Sequence, residues 1–244
     1  MKFKEFKGAK TLSLASLLSL QNLTLANELK NQDFIYISCF EDEILGSKNL
    51  IRCEIGSISY VLALLCKYCL DFSKFESDVK EYFDELDEGF LSGECNIGEE
   101  EFEDLAIFMK DCENIIIDST FFSHPDSKMI FECLNLLNLN TVVADSKIEE
   151  VNTDGNLDEL KELDSFDGSV IFGLIGDSGE LVGSSSFAIA AKVKDGDEVK
   201  VRANGLDIER KFRLNSAMKG TVAIFKDSQI NGYNFKVAKI SKLG

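Results

Sequence analysis

The 244 residues carry 26 Lys or Arg against 43 Asp or Glu, a formal net charge of −17, with 45% hydrophobic content. This balance excludes free nucleic acid and anionic membrane as main partners, since both need clustered cations. No apolar run approaches the ~20 residues that span a bilayer, so direct membrane insertion is not expected, and the length suits one large domain or two modest ones.

Basic MKFKEFKGAK precedes the moderately apolar TLSLASLLSLQNLTLA, a pairing that resembles a signal peptide. Ser13, Ser16, Ser19, Gln21, Asn22 and Thr24 interrupt it, and Leu14, Leu17, Leu18 and Leu25 fit one face of an amphipathic helix over 12–29. Residues 1–33 are therefore expected to form an N-terminal helical segment. An α/β domain is expected over 34–186. Phe34–Ile37 and Leu50–Ile55 are strand candidates, and a helix runs from Ser57 to about Leu70. Phe75–Leu86 reads as an acidic helix with Phe75, Val79, Tyr82, Phe83 and Leu86 inward, and Gly89–Gly98 as a loop.

Residues 99–146 carry the strongest pattern. Phe102, Leu105, Ala106, Phe108 and Met109 recur at helical spacing behind a Glu-rich first turn, where carboxylates suit the positive end of the helix dipole. Ile115-Ile116-Ile117 is a continuous apolar run, the mark of a strand covered on both faces. Pro125 opens a second helix with Met129, Ile130, Cys133, Leu134 and Leu137 on one side, and Thr141–Ala144 forms the next strand. Alternating helices and strands with short links predict a Rossmann-like parallel sheet.

Lys147–Gly168 reads as a polar connector with one short helix, Leu157–Leu163. Val170–Ile175 is a buried strand, and Gly176–Ser186 a glycine- and serine-rich loop. From Lys192 onward there are 12 cations against 6 anions, net +6, whereas the preceding residues hold 14 against 37, net −23. This break predicts a separate small all-β module over 187–244, of barrel or sandwich type, with a barrel-like form taken first. Its strands are Val199–Arg202, Ile208–Leu214, Thr221–Phe225 and Phe235–Ile240, with an Asn204-Gly205 hairpin turn.

Candidate chemistry is sparse. Seven cysteines, an odd and scattered set, fit a reducing cytoplasm better than a disulfide framework. Cys66-Lys-Tyr-Cys69 falls late in an apolar helix, whereas redox CxxC pairs sit at helix N-termini, so core packing is expected. No second CxxC completes a zinc site, and iron–sulfur spacing is lacking. His124, the one histidine, has no nucleophile motif beside it. The acidic runs at Glu81–Glu88 and Glu99–Asp104 lack EF-hand spacing and read as solvated helix faces.

Gly173-Leu-Ile-Gly176-Asp-Ser-Gly179 lacks both GxGxxG and Gly-Lys-Ser/Thr. Gly176, Gly179, Gly183 and Ser184 remain the candidate anion cradle. Arg202, Arg210, Lys211, Arg213 and Lys219 are the candidate docking surface for a partner. No catalytic residue, metal ligand or cofactor is assigned.

Phe34-Ile-Tyr-Ile, Glu41-Asp42, Lys48-Asn-Leu-Ile51, Glu54-Ile-Gly-Ser57 and Val61–Leu65 lead to Tyr82–Asp87, Gly98-Glu-Glu100 and Phe122–Pro125. In this order they resemble the molybdopterin-oxidoreductase-like region of the large peripheral-arm subunit of bacterial respiratory complex I. Gly196–Val199 and Lys219–Ala223 are similar to the C-terminal β segment of the same family. The resemblance covers most of 34–240 and omits the N-terminal region that carries the family's iron–sulfur ligands. It implies a non-catalytic, cluster-free accessory or replacement subunit of an NADH–quinone oxidoreductase peripheral arm. Such a protein would be cytoplasmic and associated with the membrane only through the complex. Its partners would be the other peripheral-arm subunits and an electron donor such as flavodoxin or ferredoxin. The alternatives are a nucleotide-, flavin- or pterin-binding oxidoreductase using the Gly173–Ser186 loop, and a standalone interaction scaffold.

Overall fold

The computed structural model describes residues 1–243. The chain divides into two compact units, 1–163 and 164–244.

In chain order the first unit comprises β1 (Thr11–Ser13), α1 (Leu18–Gln21), α2 (Leu23–Leu29), β2 (Phe34–Ser38), β3 (Leu50–Arg52) and α3 (Ile58–Cys69). It continues with α4 (Ser77–Glu85), α5 (Glu88–Cys95), α6 (Glu99–Met109), β4 (Asn114–Ile117), α7 (Thr120–Ser123), α8 (Ser127–Leu137) and β5 (Asn140–Val143). The five strands form one all-parallel sheet, ordered β3-β2-β1-β4-β5. This is the doubly wound arrangement, in which the strand order reverses between β1 and β4. Ile115 and Ile117 face a core built with α3, α5, α6 and α8, and Ile116 faces the opposite core under α1 and α2. The continuous Ile run is thus the strand covered on both sides.

Three expectations for this unit are corrected. Residues 1–33 are not a helical segment ahead of the sheet, because Thr11–Ser13 is its middle strand and helix starts only at Leu18. Lys4 meets the β5 edge through its N–H to Thr141 O at 2.9 Å, and residues 1–3 run beside 149–151, with Val151 N–H to Met1 O at 3.0 Å. Gly89–Gly98 is mostly helix α5, capped by Asp87 and closed at left-handed Asn96. Leu157–Leu163 is irregular rather than helical. Its leucines pack on the first core, and it is held by Tyr60 Oη to Lys161 O (2.9 Å) and Tyr82 Oη to Asp158 O (3.1 Å). The buried Glu132 carboxylate accepts the Asp154 and Gly155 N–H groups at 2.8 and 3.2 Å. Tertiary anchoring of this strength replaces local hydrogen bonding as the cause of order.

The second unit comprises β6 (Val170–Ile175), β7 (Glu180–Gly183), α9 (Ser185–Ala191), β8 (Glu198–Ala203), β9 (Leu206–Leu214), β10 (Val222–Asp227), β11 (Phe235–Val237) and β12 (Lys239–Lys242). The sheet order is β11-β6-β10-β7-β9-β8-β12. Its two terminal strands are separated in sequence by Ala238 alone, so the sheet closes on itself as a barrel around one kinked strand. Pairings β6/β10 and β7/β9 are parallel and the rest antiparallel. β6 and β7 thus belong to the β module, whose boundary falls at 163/164 rather than 186/187. The expected loop at 176–186 contains a barrel strand and the start of a helix.

Phe187, Phe212 and Phe225 fill the barrel with Ile171, Leu181, Val199 and Val201. A Cβ on Gly183 would lie 2.9 Å from Phe187 Cδ1 and 3.0 Å from Phe212 Cε2, closer than packed carbons come. Replacing Gly183 by Ala is therefore expected to destabilise the protein by about 1–3 kcal/mol in urea unfolding. Gly179→Ala, with open space around it, is expected to stay within about 0.5 kcal/mol of wild type.

Candidate functional site

In an open doubly wound sheet, ligands enter the crevice at the carboxyl ends of the strands where the order reverses. Here that place lies past Ser13 of β1 and Ile117 of β4. The turn after β1 reads Leu14-Ala15-Ser16-Leu17, without glycine, and the Ser16 N–H meets a side chain of this same chain.

Ser16 N–H donates to Asp118 Oδ2 at 2.6 Å, and Ser19 N–H, in α1, donates to Asp42 Oδ2 at 2.8 Å. Asp118 Oδ1 also accepts the Thr120 N–H at 2.9 Å and the Thr120 hydroxyl. Asp42 Oδ1 accepts Ile44 and Leu45 N–H at 2.9 and 3.2 Å. Asp145, after β5, receives the Ser119 N–H and hydroxyl, both at 2.7 Å. Asn22 joins α2 to the same rim through Nδ2 to Ala144 O at 2.8 Å. Asp118 and Asp42 are buried, 0% and 2% exposed. Asp145 is exposed as a residue, yet desolvation of its carboxyl and the neighbouring Asp118 raise its pKa. The donors that would meet a phosphate at this crevice thus already hold carboxylates of the chain. None of these aspartates belongs to a chemical motif in the sequence. Their signal is positional, each lying a few residues beyond a buried strand.

The predicted anion cradle does not assemble. Gly176 N–H is bonded to Asp227 O at 3.0 Å, and Gly183 packs against the barrel aromatics. Ser184 accepts Phe187 N–H at 3.0 Å and donates its hydroxyl to Gly220 O, as the cap of α9. Gly179 offers its carbonyl to Lys211 N–H at 2.8 Å.

The predicted basic surface is not one face. Ile208, Arg210 and Phe212 share the inward register of β9, whereas Lys211 and Arg213 alternate outward. Arg210 meets Asp227 at 2.7 Å, Arg213 meets Glu180 at 2.8 Å, and Arg202 meets Asp207 at 3.4 Å. Lys211 sits in register with Glu198 and Glu180, and Lys219 lies in the β9–β10 connection. Cross-strand carboxylates thus neutralise much of the outward charge. A concavity of about 240 Å³ lies at the barrel rim between Gly205–Ile208 and Asp227–Asn231.

The thiols are spread through the first unit. Cys66 is fully buried with Sγ 3.5 Å from Cys133 O. Burial raises the Cys53 and Cys69 thiol pKa values to about 12 and that of Cys95 to about 11, which keeps them protonated near neutrality. His124 accepts Asp126 N–H on Nδ1 at 2.9 Å, and its Nε2 lies 2.9 Å from Gly56 O. Burial lowers its pKa, so the ring is a neutral loop anchor. Among the described residues, no group of three or more His, Cys, Asp or Glu is arranged to hold a metal ion. Among the same residues, no helix is long and apolar enough to cross a membrane.

The class defined by these observations is a doubly wound α/β unit with an occupied ligand crevice, followed in the chain by a closed, mixed β-barrel. A scan against protein-family models finds no match, and a search of the curated proteins finds no relative.

Asp118→Ala would leave the Ser16 and Thr120 N–H groups without their acceptor. Urea unfolding is expected to show a loss of about 2 kcal/mol or more, with a smaller loss for Asp118→Asn, which keeps an acceptor oxygen.

Proposed function

We propose that this chain is a non-catalytic, cluster-free component of the peripheral arm of a bacterial complex I-like NADH–quinone oxidoreductase. In this reading it is a relative of the molybdopterin-oxidoreductase-like region of the large peripheral-arm subunit and works on the cytoplasmic side. Its role is to support assembly of the arm or docking of an electron donor, flavodoxin or ferredoxin.

The observation that carries the reading is the occupied crevice. Asp118 and Asp42 take the N–H donors of Ser16 and Ser19, so the scaffold of a ligand-binding fold is retained while the place of the ligand is filled by the protein. The architecture is the one that the hydrophobic pattern predicts, a parallel Rossmann-like sheet and a barrel-like C-terminal module, and the reading is compatible with it. Charge bears on docking. Residues 1–163 carry 14 cations against 33 anions, and residues 164–244 carry 12 against 10. An acidic carrier is repelled by the first set and finds a nearly balanced surface on the second, so carrier docking falls to the barrel unit.

Purification of the tagged chain under native conditions from its own host tests this. The expected result is co-elution with iron–sulfur-bearing proteins and with quinone reductase activity. A chain that always elutes alone, or one that carries a stoichiometric chromophore when isolated, would overturn the proposal.

A further inference from the structure

Among the described residues, the cysteine thiols are chemistry-bearing groups that the proposed function leaves unused, and one pair directly follows a strand register. β2 and β3 are parallel and pair Tyr36 with Leu50, Ile37 with Ile51 and Ser38 with Arg52. Cys39 and Cys53 each follow directly on the last of these pairs. Cys53 N–H donates to Ser38 O at 3.3 Å, a bond of the Ser38–Arg52 pair that still holds the two backbones together at this point. Adjacent strands lie about 4.8 Å apart, inside the roughly 4.4–6.8 Å span between the Cα atoms of disulfides. Cys53 belongs to the α3 core with Ile37, against which Ile51 also packs, and the neighbouring Cys53 is among the groups that raise the Cys39 pKa, so the two thiols lie near one another.

We propose that Cys39 and Cys53 are a redox-modification site, forming an intramolecular disulfide across the carboxyl ends of β2 and β3 when a small-molecule disulfide such as oxidised glutathione is present. Access sets the order of steps. Cys39 is partly exposed, and Cys53 is buried at 8% exposure. The Cys39 thiolate attacks one sulfur of oxidised glutathione and expels a glutathione thiolate, leaving a mixed disulfide. The Cys53 thiolate then attacks the Cys39 sulfur and expels the second glutathione. Two protein thiols are oxidised, one glutathione disulfide is reduced to two thiols, and the two cysteine protons pass to the departing thiolates. Desolvation keeps both cysteines protonated near neutrality, so the exchange is slow and quickens as pH rises.

The closed loop contains Asp42, whose carboxylate receives Ser19 N–H at the crevice, and Tyr36 Oη braces it through Gly46 O at 2.6 Å. A disulfide at its base tightens that rim. The third thiol nearby belongs to Cys95, whose carbonyl accepts Glu54 N–H at 3.1 Å, so a Cys53–Cys95 link is the competing product.

The test is incubation of the native full chain with oxidised glutathione at mildly alkaline pH, followed by non-reducing peptide mass mapping. The expected wild-type product has lost two hydrogens and yields a crosslinked Cys39–Cys53 peptide. Cys53→Ser is expected to stop at a glutathione adduct on Cys39, and Cys39→Ser to give neither product. Amide exchange over residues 40–49 should slow severalfold in the oxidised form. A stable Cys39 adduct without crosslink in wild type, a Cys53–Cys95 link, or an unmodified protein would each overturn the proposal.

Discussion

A hydrogen bond 2.6 Å long between the half-buried Ser16 amide and the buried Asp118 carboxylate is the contact around which the rest of the first unit's crevice is arranged. It joins the ends of β1 and β4, the two strands at which a doubly wound sheet opens its crevice. With Ser19 on Asp42 and Ser119 on Asp145, it pins four of the five strand ends through carboxylates. Each aspartate costs desolvation and is compensated by backbone or hydroxyl donors, so the cluster is satisfied rather than vacant. A loop built this way draws its acceptors from carboxylates of the same chain.

The barrel follows a related logic of internal completion. Its aromatics lie against glycine, and its outward arginines lie against carboxylates of neighbouring strands. Closure through the kink at Ala238 leaves the two terminal strands contiguous in the chain and removes the open edges of a flat sheet. Charge that reads as a docking stripe in the sequence is largely neutralised within the fold, because register places Glu180, Glu198 and Asp207 among the cations.

Most of the architecture is legible from hydrophobic pattern. Ile115–Ile117, the Glu-capped helix before it and the Asn204-Gly205 hairpin stand where periodicity and turn chemistry put them. The central strand is hidden. Thr11 and Ser13 are hydroxyl residues buried to 0%, and the Ser/Leu alternation that follows has helical spacing as well. The Thr11 hydroxyl bonds to Ala9 O and accepts from Asn114 Nδ2, a partner so distant in sequence that no local window shows it. The 157–163 leucines have a helix-compatible spacing, although long-range bonds from Tyr60 and Tyr82 hold them in an irregular course. The crevice itself is illegible, since isolated Asp residues in loops carry no motif until the strand order places them together.

The most direct measurement of the central claim is residue-resolved amide hydrogen exchange of Ser16 and Ser19 in the native protein. Bonds to buried carboxylates predict protection of both amides comparable to that of the β4 core strand Ile115–Ile117. Exchange of these two amides at the rate of an open surface loop would mean that the crevice is free for a ligand, and a self-occupied scaffold would be the wrong description of this fold.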